Sequence, residues 1–248
     1  MIEVRDLKKR FETQPVLDGV SFVIEKGESA VIIGRSGGGK SVLLKHLIGL
    51  LKPDSGQVCV AGEEITHMNE RELIGVRKRF GMLFQGAALF DSMNVEDNVA
   101  FALRRLRSVS ENQISRKVAA ALEMVDLQGV QKKKPAELSG GMRKRVGLAR
   151  AIVYEPEIVL YDEPTTGLDP VVSDSIDKLI IRVRDRLQVT TVVVTHDMRS
   201  ARRVGHRIMM LHNKKIHASG TPDEIFGSQD PVVKQFIDGV SDIKEQSL

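Results

Sequence analysis

Short apolar runs separated by polar turns mark the beginning of the chain. The runs IEVRDL, VLDGVSFVIE and SAVIIG open it, and VCVAGEEI follows at 58–65. The run SAVIIG is apolar on both faces and leads into a glycine-rich turn and the helix-like stretch SVLLKHLIGLL. A strand, a glycine loop and a helix in this order predict a βα unit of a parallel sheet.

The last third of the chain returns to the pattern of buried strands. Its apolar runs lie at 157–163, 190–197 and 207–220. Apolar residues at helical spacing predict a helix over about 171–187 and a short helical tail over 222–239. Strands that alternate with helices indicate an α/β fold.

The middle of the chain, from about 70 to 155, has a different pattern. Its apolar residues recur at helical spacing, with charged faces between them. The stretches concerned are NERELIGVRKRF, VEDNVAFALRRLR, ENQISRKVAAALEMV and GGMRKRVGLARAIV. We therefore predict a single domain over 1–248, with an α/β core at 1–85 and 156–248 and an inserted helical subdomain at about 86–155.

Composition narrows the possible functions. Aromatic residues make up 4% of the 248 residues and tryptophan is absent, so a broad base-stacking surface for single-stranded nucleic acid is not expected. The formal net charge of +4 suits a nucleotide, a nucleic acid or an anionic membrane face and decides between none of them. The lone Cys59 excludes an internal disulfide framework and fits a reducing cytosol.

Neither a targeting segment nor a membrane-spanning segment is visible in the sequence. The opening stretch MIEVRDLKKRF contains no apolar core, so we expect no signal peptide. No uncharged apolar run approaches the roughly 20 residues that span a bilayer. Any function at a membrane is therefore expected to depend on partner proteins.

The glycine-rich turn after SAVIIG matches the pattern G-x-x-x-x-G-K-[ST]. Glycines let backbone N–H groups surround phosphate oxygens, and the following helix adds the positive end of its dipole. In this pattern Lys40 reaches the β- and γ-phosphates, and the Ser41 hydroxyl ligates Mg²⁺. The predicted nucleotide-binding residues are Gly34, Arg35, Ser36, Gly37, Gly38, Gly39, Lys40, Ser41 and Val42. Their place between a buried strand and a helix favours ATP binding over a flexible glycine turn.

Two adjacent acids, Asp162 and Glu163, end the apolar run IVLYDE. A buried strand delivers them to the carboxyl edge of the sheet, where ligands bind in such folds. Successive strand residues point to opposite sides, so the two acids are expected to have different tasks. We expect Asp162 to contribute to the Mg²⁺ shell and Glu163 to act as general base or to orient the attacking water.

Two further side chains are expected near the γ-phosphate. His196 follows the strand VVVT at the same sheet edge, where it could donate a hydrogen bond as charge builds on the transferring group. Gln85 follows GMLF at the border of the core and the helical subdomain, within expected reach of Mg²⁺ or the attacking water. Taken in isolation, the histidine would be read as a surface or cap residue and the glutamine would carry no such meaning.

A second anion cradle is predicted at Ser139, Gly140 and Gly141, which open the helix MRKRVGLARAIV. A hydroxyl, two open amides and the helix dipole combine there. One nucleotide needs only one phosphate cradle, so the second implies that the γ-phosphate is shared with another copy of the chain. Alone, the serine would be an ordinary helix cap; the other motifs, in order, make that reading improbable.

With these elements in order, the chain resembles the nucleotide-binding subunits of ATP-binding cassette (ABC) transporters over essentially its whole length. The resemblance implies a P-loop NTPase with a RecA-like core and an inserted helical subdomain. It also implies a head-to-tail homodimer, in which each ATP is held by the phosphate loop of one copy and by Ser139-Gly140-Gly141 of the other. Asp169, in TTGLDP, would then lie at the dimer seam, and Phe11 would stack on adenine.

A narrower likeness points to the Mla/Mce-associated ATPases that power phospholipid trafficking between membranes. It rests on GRSGGGKSVLLKHLIGLL, on MLFQGAALFDSMNVEDNVAF and on LSGGMRKRVGLARAI. Val42 and Met142 depart from the Thr and Gln common in other ABC subunits, and both departures are typical of this subgroup. Phospholipid or another hydrophobic substrate is therefore the expected cargo.

The resemblance also implies partners and a location. The partners would be a multi-span permease, a small STAS-domain protein and a substrate-binding MCE protein, at the cytoplasmic face of the inner membrane. We expect the permease to dock on the segment 86–101, where Leu89, Phe90 and Met93 are apolar. Ordinary packing inside the helical subdomain explains each of these three side chains about equally well.

Three other functions share some of these motifs. An amino-acid, methionine or drug transporter would keep all of them and would differ in its permease and binding protein. A non-transporting ABC protein of DNA repair or translation usually adds zinc motifs, coiled coils or a second cassette, none of which is visible here, and we expect no nucleic-acid partner. A nucleotide sensor without turnover would release no phosphate.

Overall fold

The computed structural model describes residues 1–105 and 109–240, which fold into two β-sheets and surrounding helices. Ten strands are present within these residues. They are β1 (Ile2–Phe11), β2 (Gln14–Ile24), β3 (Ser29–Ile33), β4 (Ser55–Val60), β5 (Glu63–Glu64), β6 (Phe80–Leu83), β7 (Ile158–Asp162), β8 (Thr190–Thr195), β9 (Arg207–His212) and β10 (Lys215–Gly220).

Nine α-helices lie within the same residues, together with one 3₁₀ turn at Pro135–Glu137. They are α1 (Lys40–Leu47), α2 (Glu70–Arg77), α3 (Val95–Arg105), α4 (Glu111–Met124), α5 (Gly140–Ile152), α6 (Pro170–Leu187), α7 (Met198–Val204), α8 (Pro222–Phe226) and α9 (Pro231–Asp238). Polar caps set several of their starts: Asn69 and Ser110 form capping boxes with the third residue of α2 and α4.

The larger sheet has the order β10-β9-β3-β8-β7-β6, and all its neighbours are parallel except β10 with β9. Ile33 pairs with Thr195, and Asp162 pairs with Val194. The carboxyl ends of β3, β7 and β8 therefore lie at the same edge. Loops that follow parallel strands meet at such an edge, which places the phosphate loop beside the residues after β7 and β8.

Alternate residues of the central strands enter two separate cores. Val31 and Ile33 face the cluster formed with α3 to α6, whereas Ala30 and Ile32 face the second sheet and α1. This second sheet is antiparallel, with the order β2-β1-β4-β5. Side chains that alternate along a strand explain why β3 is apolar throughout, as its sequence predicts.

One strand lies inside the stretch that the sequence predicts to be mostly helical. β6 falls between α2 and α3 and pairs in parallel with β7. Four residues are too few for periodicity to separate a strand from a helix. Its pairing with β7 makes this segment a strand, and Gly81 lets α5 pack closely on it, because a Cβ there would overlap the Ala151 carbonyl oxygen.

Two boundaries near the end of the chain also differ from the prediction. The run 207–220 is a hairpin, and only its first strand is buried; the residues of β10 alternate between exposed and partly buried. The predicted helical tail is two helices, because Asp230 caps a new helix that begins at Pro231. The helix predicted over 171–187 is confirmed as α6. None of the described helices is long and apolar enough to cross a membrane.

Candidate functional site

The phosphate loop connects β3 to α1 and is shaped by its glycines. Gly39 has a φ of +95° at the start of α1, and a Cβ there would lie 3.1 Å from Val16 Cγ1 and from the Val16 carbonyl oxygen. Only glycine adopts this left-handed conformation without strain. A Cβ on Gly34 would lie 2.5 Å from the Leu211 carbonyl oxygen. The loop is therefore held close to β2 and β9.

Lys40 is 5% exposed, and its ammonium group lies under the loop. It donates hydrogen bonds to the carbonyl oxygens of Gly34 at 2.8 Å and Arg35 at 3.0 Å. Its Nζ is also 3.4 Å from Oε1 of Glu163. A buried cation with one carboxylate and two carbonyl partners can transfer these contacts to phosphate oxygens.

Ser41 and Asp162 meet at the same edge of the sheet. The Ser41 hydroxyl donates to Oδ1 of Asp162 at 2.8 Å. Burial raises the pKa of Asp162, and the bond from Ser41 opposes that shift. No group of three or more His, Cys, Asp or Glu side chains suited to a metal occurs in the described ranges. One hydroxyl and one carboxylate fit Mg²⁺, which usually takes one or two protein oxygens and completes its shell with phosphates and water.

Glu163 follows β7 with a φ of +48°, which is uncommon for a residue with a side chain. Its Oε2 lies 2.8 Å from Nδ1 of His196 and accepts a hydrogen bond from Thr166 Oγ1 at 3.2 Å. Its other carboxylate oxygen faces Lys40. The carboxylate is thus held between a cation, an imidazole and a hydroxyl, at the end of the strand that carries Asp162.

Of these groups, Lys40, Ser41, Glu163 and His196 line a cavity of about 320 Å³. Phe11, a residue 44% exposed, and Gln85 both contribute to its lining. The lining residues are Phe11, Val16, Ser36, Gly37, Gly39, Lys40, Ser41, Val42, Gln85, Glu163 and His196. The structure therefore brings together most residues that the sequence predicts for this site. Gly34, Arg35 and Gly38 belong to the loop without lining the cavity, and Asp162 adjoins the cavity only through its bond to Ser41.

The predicted second cradle is not part of this cavity. Ser139 caps α5, and its Oγ accepts a hydrogen bond from the Met142 amide at 3.3 Å. The amides of Gly140 and Gly141 open the helix and have no acceptor within it. A Cβ on Gly141 would lie 2.6 Å from Val172 Cγ1, so α5 begins against the start of α6, which Asp169 caps.

Two residues of the site, Lys144 and Thr166, are not among those that the sequence predicts. Lys144 is 5% exposed on α5 and donates hydrogen bonds to the carbonyl oxygens of Gln85 and Glu163, the latter at 3.1 Å. Burial lowers the pKa of Lys144, and Asp162 and Glu163 oppose that shift. Its signal was a lysine in line with the apolar positions three, four and seven residues later on the same helix. Thr166 has no such signal.

The family model described as "ABC transporter" matches residues 17–166. The chain is 44% identical over 238 residues to the probable ribonucleotide transport ATP-binding protein mkl of Mycobacterium leprae, covering 96% of this chain and 69% of that protein. It is 40% identical over 242 residues to the intermembrane phospholipid transport system ATP-binding protein MlaF of Haemophilus influenzae, covering 98% of this chain and 92% of that protein.

A solved structure with the same architecture is the dimer of the ATP-binding cassette MJ0796 in a post-hydrolysis state with ADP and Pi. Its TM-score is 0.83 at 30% identity, covering 90% of this chain and 99% of that chain. The predicted α/β fold of a P-loop NTPase with inserted helices is thereby confirmed. The chain therefore belongs to the ABC transporter family, whose ATP-binding subunits dimerise, hydrolyse ATP and energise transport through a membrane permease.

Proposed function

We propose that this chain energises the movement of phospholipid, or of a similarly hydrophobic substrate, through a separate permease. The observation that carries the proposal is the likeness to MlaF, which extends over 98% of this chain and 92% of that protein. The chain spans a smaller share of the mycobacterial relatives, 69% and 66% of their lengths. Their printed name makes ribonucleotide the second candidate cargo.

For the chemistry, we propose that Glu163 is the general base or orients the attacking water. Its carboxylate is held by His196 and Thr166 on one oxygen and faces Lys40 with the other. Lys40 would leave the loop carbonyls for the β- and γ-phosphates, and His196 would donate to the γ-phosphate as charge develops there. Phosphoryl transfer to water depends mainly on such positioning and charge stabilisation.

Ser41, Asp162 and Gln85 are the residues we propose to hold Mg²⁺. The 2.8 Å bond between Ser41 and Asp162 already places a hydroxyl and a carboxylate together. When bound, the ion neutralises charge on the β- and γ-phosphate oxygens. Gln85 is fixed through its carbonyl by Lys144, so it would report the state of the phosphates to the helices that follow it.

We propose that the adenine ring stacks on Phe11 and that a second copy closes the site. Phe11 is exposed at the cavity. Nζ of Lys9, which is also on β1, lies 5.7 Å from the centroid of the Phe11 ring. Ser139, Gly140 and Gly141 lie outside the cavity in their own chain, as an arrangement across two copies requires. The cap residue Asp169 would then lie at the seam between the copies.

The permease is proposed to dock on the segment 86–101, which contributes Ala88 and Phe90 to a groove of about 500 Å³. Apolar and aromatic side chains line it, including Phe84, Phe90 and Phe101, with Arg77 and Arg150 at its sides. Phe90 is 41% exposed, and its ring centroid lies 4.6 Å from that of Phe101, with the two ring planes tilted by 41°. An amphipathic helix of the permease matches such a groove, and residues 86–155 would swing with it as the nucleotide state changes.

Phe90→Asp is expected to reduce the amount of permease that co-purifies with the chain by about tenfold, as loss of a buried aromatic anchor does in an interface. Phe90→Leu keeps an apolar side chain and should retain most of the permease. ATP binding by both isolated variants should equal that of the wild type. Equal permease recovery with Asp and with Leu would place the docking surface elsewhere.

The remaining proposed partners follow the likeness to MlaF. They are a STAS-domain protein and an MCE-type lipid-binding protein, with the whole assembly at the cytoplasmic face of the inner membrane. The chain would be held there peripherally, through its permease.

The cargo is tested with the chain purified together with its permease and inserted into phospholipid vesicles. Phospholipid is expected to co-purify and to be identified by mass spectrometry, and labelled phospholipid should move between membranes only when ATP is hydrolysed. Uptake of labelled ribonucleotide without lipid movement would replace the proposal with the second candidate. ATP-driven movement of an amino acid or a drug alone would overturn both.

A further inference from the structure

The hydroxyl of Ser200 lies at the centre of a buried polar group on α7. The side chain is 1% exposed. Its Oγ is 2.9 Å from Oδ2 of Asp177, 3.2 Å from Oδ2 of Asp197 and 3.5 Å from Oγ1 of Thr165. A hydroxyl has one proton, so Ser200 can donate to only one of the two carboxylates at a time, while it accepts from Thr165.

This group joins the two loops that hold Glu163. Thr165 precedes Thr166, whose hydroxyl donates to the Glu163 carboxylate. Asp197 follows His196, whose ring and backbone amide face the same carboxylate oxygen at 2.8 and 3.4 Å. Ser200 therefore connects the immediate neighbours of both Glu163 partners, and α6 lies behind it through Asp177.

A side chain that only filled space at position 177 would not need a carboxylate. Asp177 is 3% exposed, and its Oδ1 has no hydrogen-bond partner among the described residues. Such a group is expensive to bury unless it is hydrogen-bonded. Burial raises its pKa to about 6, a shift to which Asp197 adds and which the Ser200 bond opposes.

Asp177 lines a cavity of about 790 Å³ together with other charged side chains. Asp174, one turn earlier on α6, pairs with Arg203, and Arg202 pairs with Asp223. The charged and titratable side chains of this lining are Asp174, Asp177, His196, Asp197, Arg199, Arg202 and Arg203. Asp197 caps α7, because its Oδ1 accepts hydrogen bonds from the backbone amides of residues 199 and 200. Asp177, in contrast, accepts its hydrogen bond from the Ser200 hydroxyl.

We propose that Ser200 is a positioning residue for Glu163 and that ionised Asp177 anchors it, through a hydrogen bond chain that runs from Thr165 to Ser200 to Asp177. A bond to an ionised acceptor is about twice as strong as a neutral one. Protonation of Asp177 therefore weakens the anchor and loosens both loops. The inference rests on the proposed role of Glu163 in hydrolysis.

The test compares kcat and KM for ATP of the full chain, assembled with its permease, between pH 5.5 and 8. The wild type is expected to gain about three- to fivefold in kcat as pH rises through about 6, because the ionised carboxylate makes the stronger, charge-assisted bond to Ser200. Asp177→Asn should match the wild type at the lowest pH, lack the rise, and keep KM within about twofold. The midpoint of its thermal unfolding should equal or exceed that of the wild type, because the substitution removes a buried charge.

Two further variants separate positioning from structure. Ser200→Ala should lower kcat about tenfold at pH 8, lack the rise near pH 6 and leave KM unchanged, because Asp177 acts on the loops only through Ser200. The double variant Asp177→Asn/Ser200→Ala removes the stranded carboxylate, and it should fold as the wild type does with the same low kcat. Asp174→Asn is the matched control, on the same helix and cavity without contact to Ser200, and should keep the wild-type pH profile.

The proposal is overturned if Asp177→Asn retains the rise near pH 6, if the double variant hydrolyses ATP at the wild-type rate, or if Asp174→Asn loses the rise as well. Glu163→Gln is measured in parallel. If it still hydrolyses ATP, the role proposed for Glu163 fails, and this inference fails with it. If it is inactive while Ser200→Ala hydrolyses ATP at the wild-type rate, only the present inference fails.

Discussion

Glu163→Gln is expected to lower ATP hydrolysis by about 10²- to 10³-fold, the range for loss of a general base, while ATP binding persists. Glutamine has the same length and can still face Thr166 and His196, so the geometry of the site is kept. It cannot accept a proton from water, and it removes the negative charge opposite Lys40. Without that charge, ATP affinity should stay equal or rise.

The measurement is phosphate release by the full chain with its permease, together with ATP binding at equilibrium. Asp162→Asn is a useful comparison, because its carboxylate bonds to Ser41 instead of facing the cavity between Lys40 and His196. That variant should weaken the dependence of ATP binding on Mg²⁺, an effect that Glu163→Gln should not show. Full turnover by Glu163→Gln would remove Glu163 from the catalytic role, and loss of binding would show that it mainly supports Lys40.

The sequence predicts the arrangement of this site well where local pattern and strand direction are enough. A glycine loop between a buried strand and a helix could be located by spacing alone. The convergence of Asp162, Glu163 and His196 followed from one rule, that parallel strands end at a common edge. The registers of β3, β7 and β8 place these residues side by side as expected.

What the sequence could not predict depends on contacts between distant segments. Thr166 looks like an ordinary loop residue, and only the turn after Glu163 brings its hydroxyl within 3.2 Å of the carboxylate. Ser200 and Asp177 lie on different helices, and their contact depends on how α7 packs against α6. Lys144 was visible as a charge among apolar positions, yet its acceptors, two backbone carbonyls, could not be read from residue types.

The errors in the predicted secondary structure also arise from contacts that the local pattern does not show. β6 is short and follows a helix with strong caps, so its identity is set by pairing with β7 and by the close approach of α5 at Gly81. The hairpin at 207–220 turns at Asn213 and Lys214, both with positive φ. Asparagine tolerates that conformation and predicts a turn, a signal that the apolar residues before it outweighed.

Ser139→Arg in both copies of the chain is expected to lower hydrolysis by at least about 10²-fold, comparable to the loss of a transition-state electrostatic contact. Ser139 is an exposed helix cap outside the nucleotide cavity of its own chain. A long side chain there would leave that cavity intact but would block the phosphate site of a partner copy. Ser139→Ala serves as the control for lost capping, which alone costs about 1 kcal/mol of helix stability. It removes the hydroxyl of the cradle but keeps the two glycine amides and adds no obstacle, so it should lower hydrolysis far less than Ser139→Arg does.

A mixed dimer decides whether the two cradles belong to different copies. With Lys40→Ala in one copy and Ser139→Arg in the other, both lesions fall in the same shared site, so the dimer should keep one intact site and bind one ATP tightly. The matched control puts both substitutions in one copy beside a wild-type partner; the lesions then fall in different sites, and both should be impaired. If the two dimers instead exchange these results, with two impaired sites in the first and one intact site in the second, each ATP is held within a single chain. Ser139 lies at the start of α5 and outside the cavity that Lys40 lines, which favours the shared arrangement.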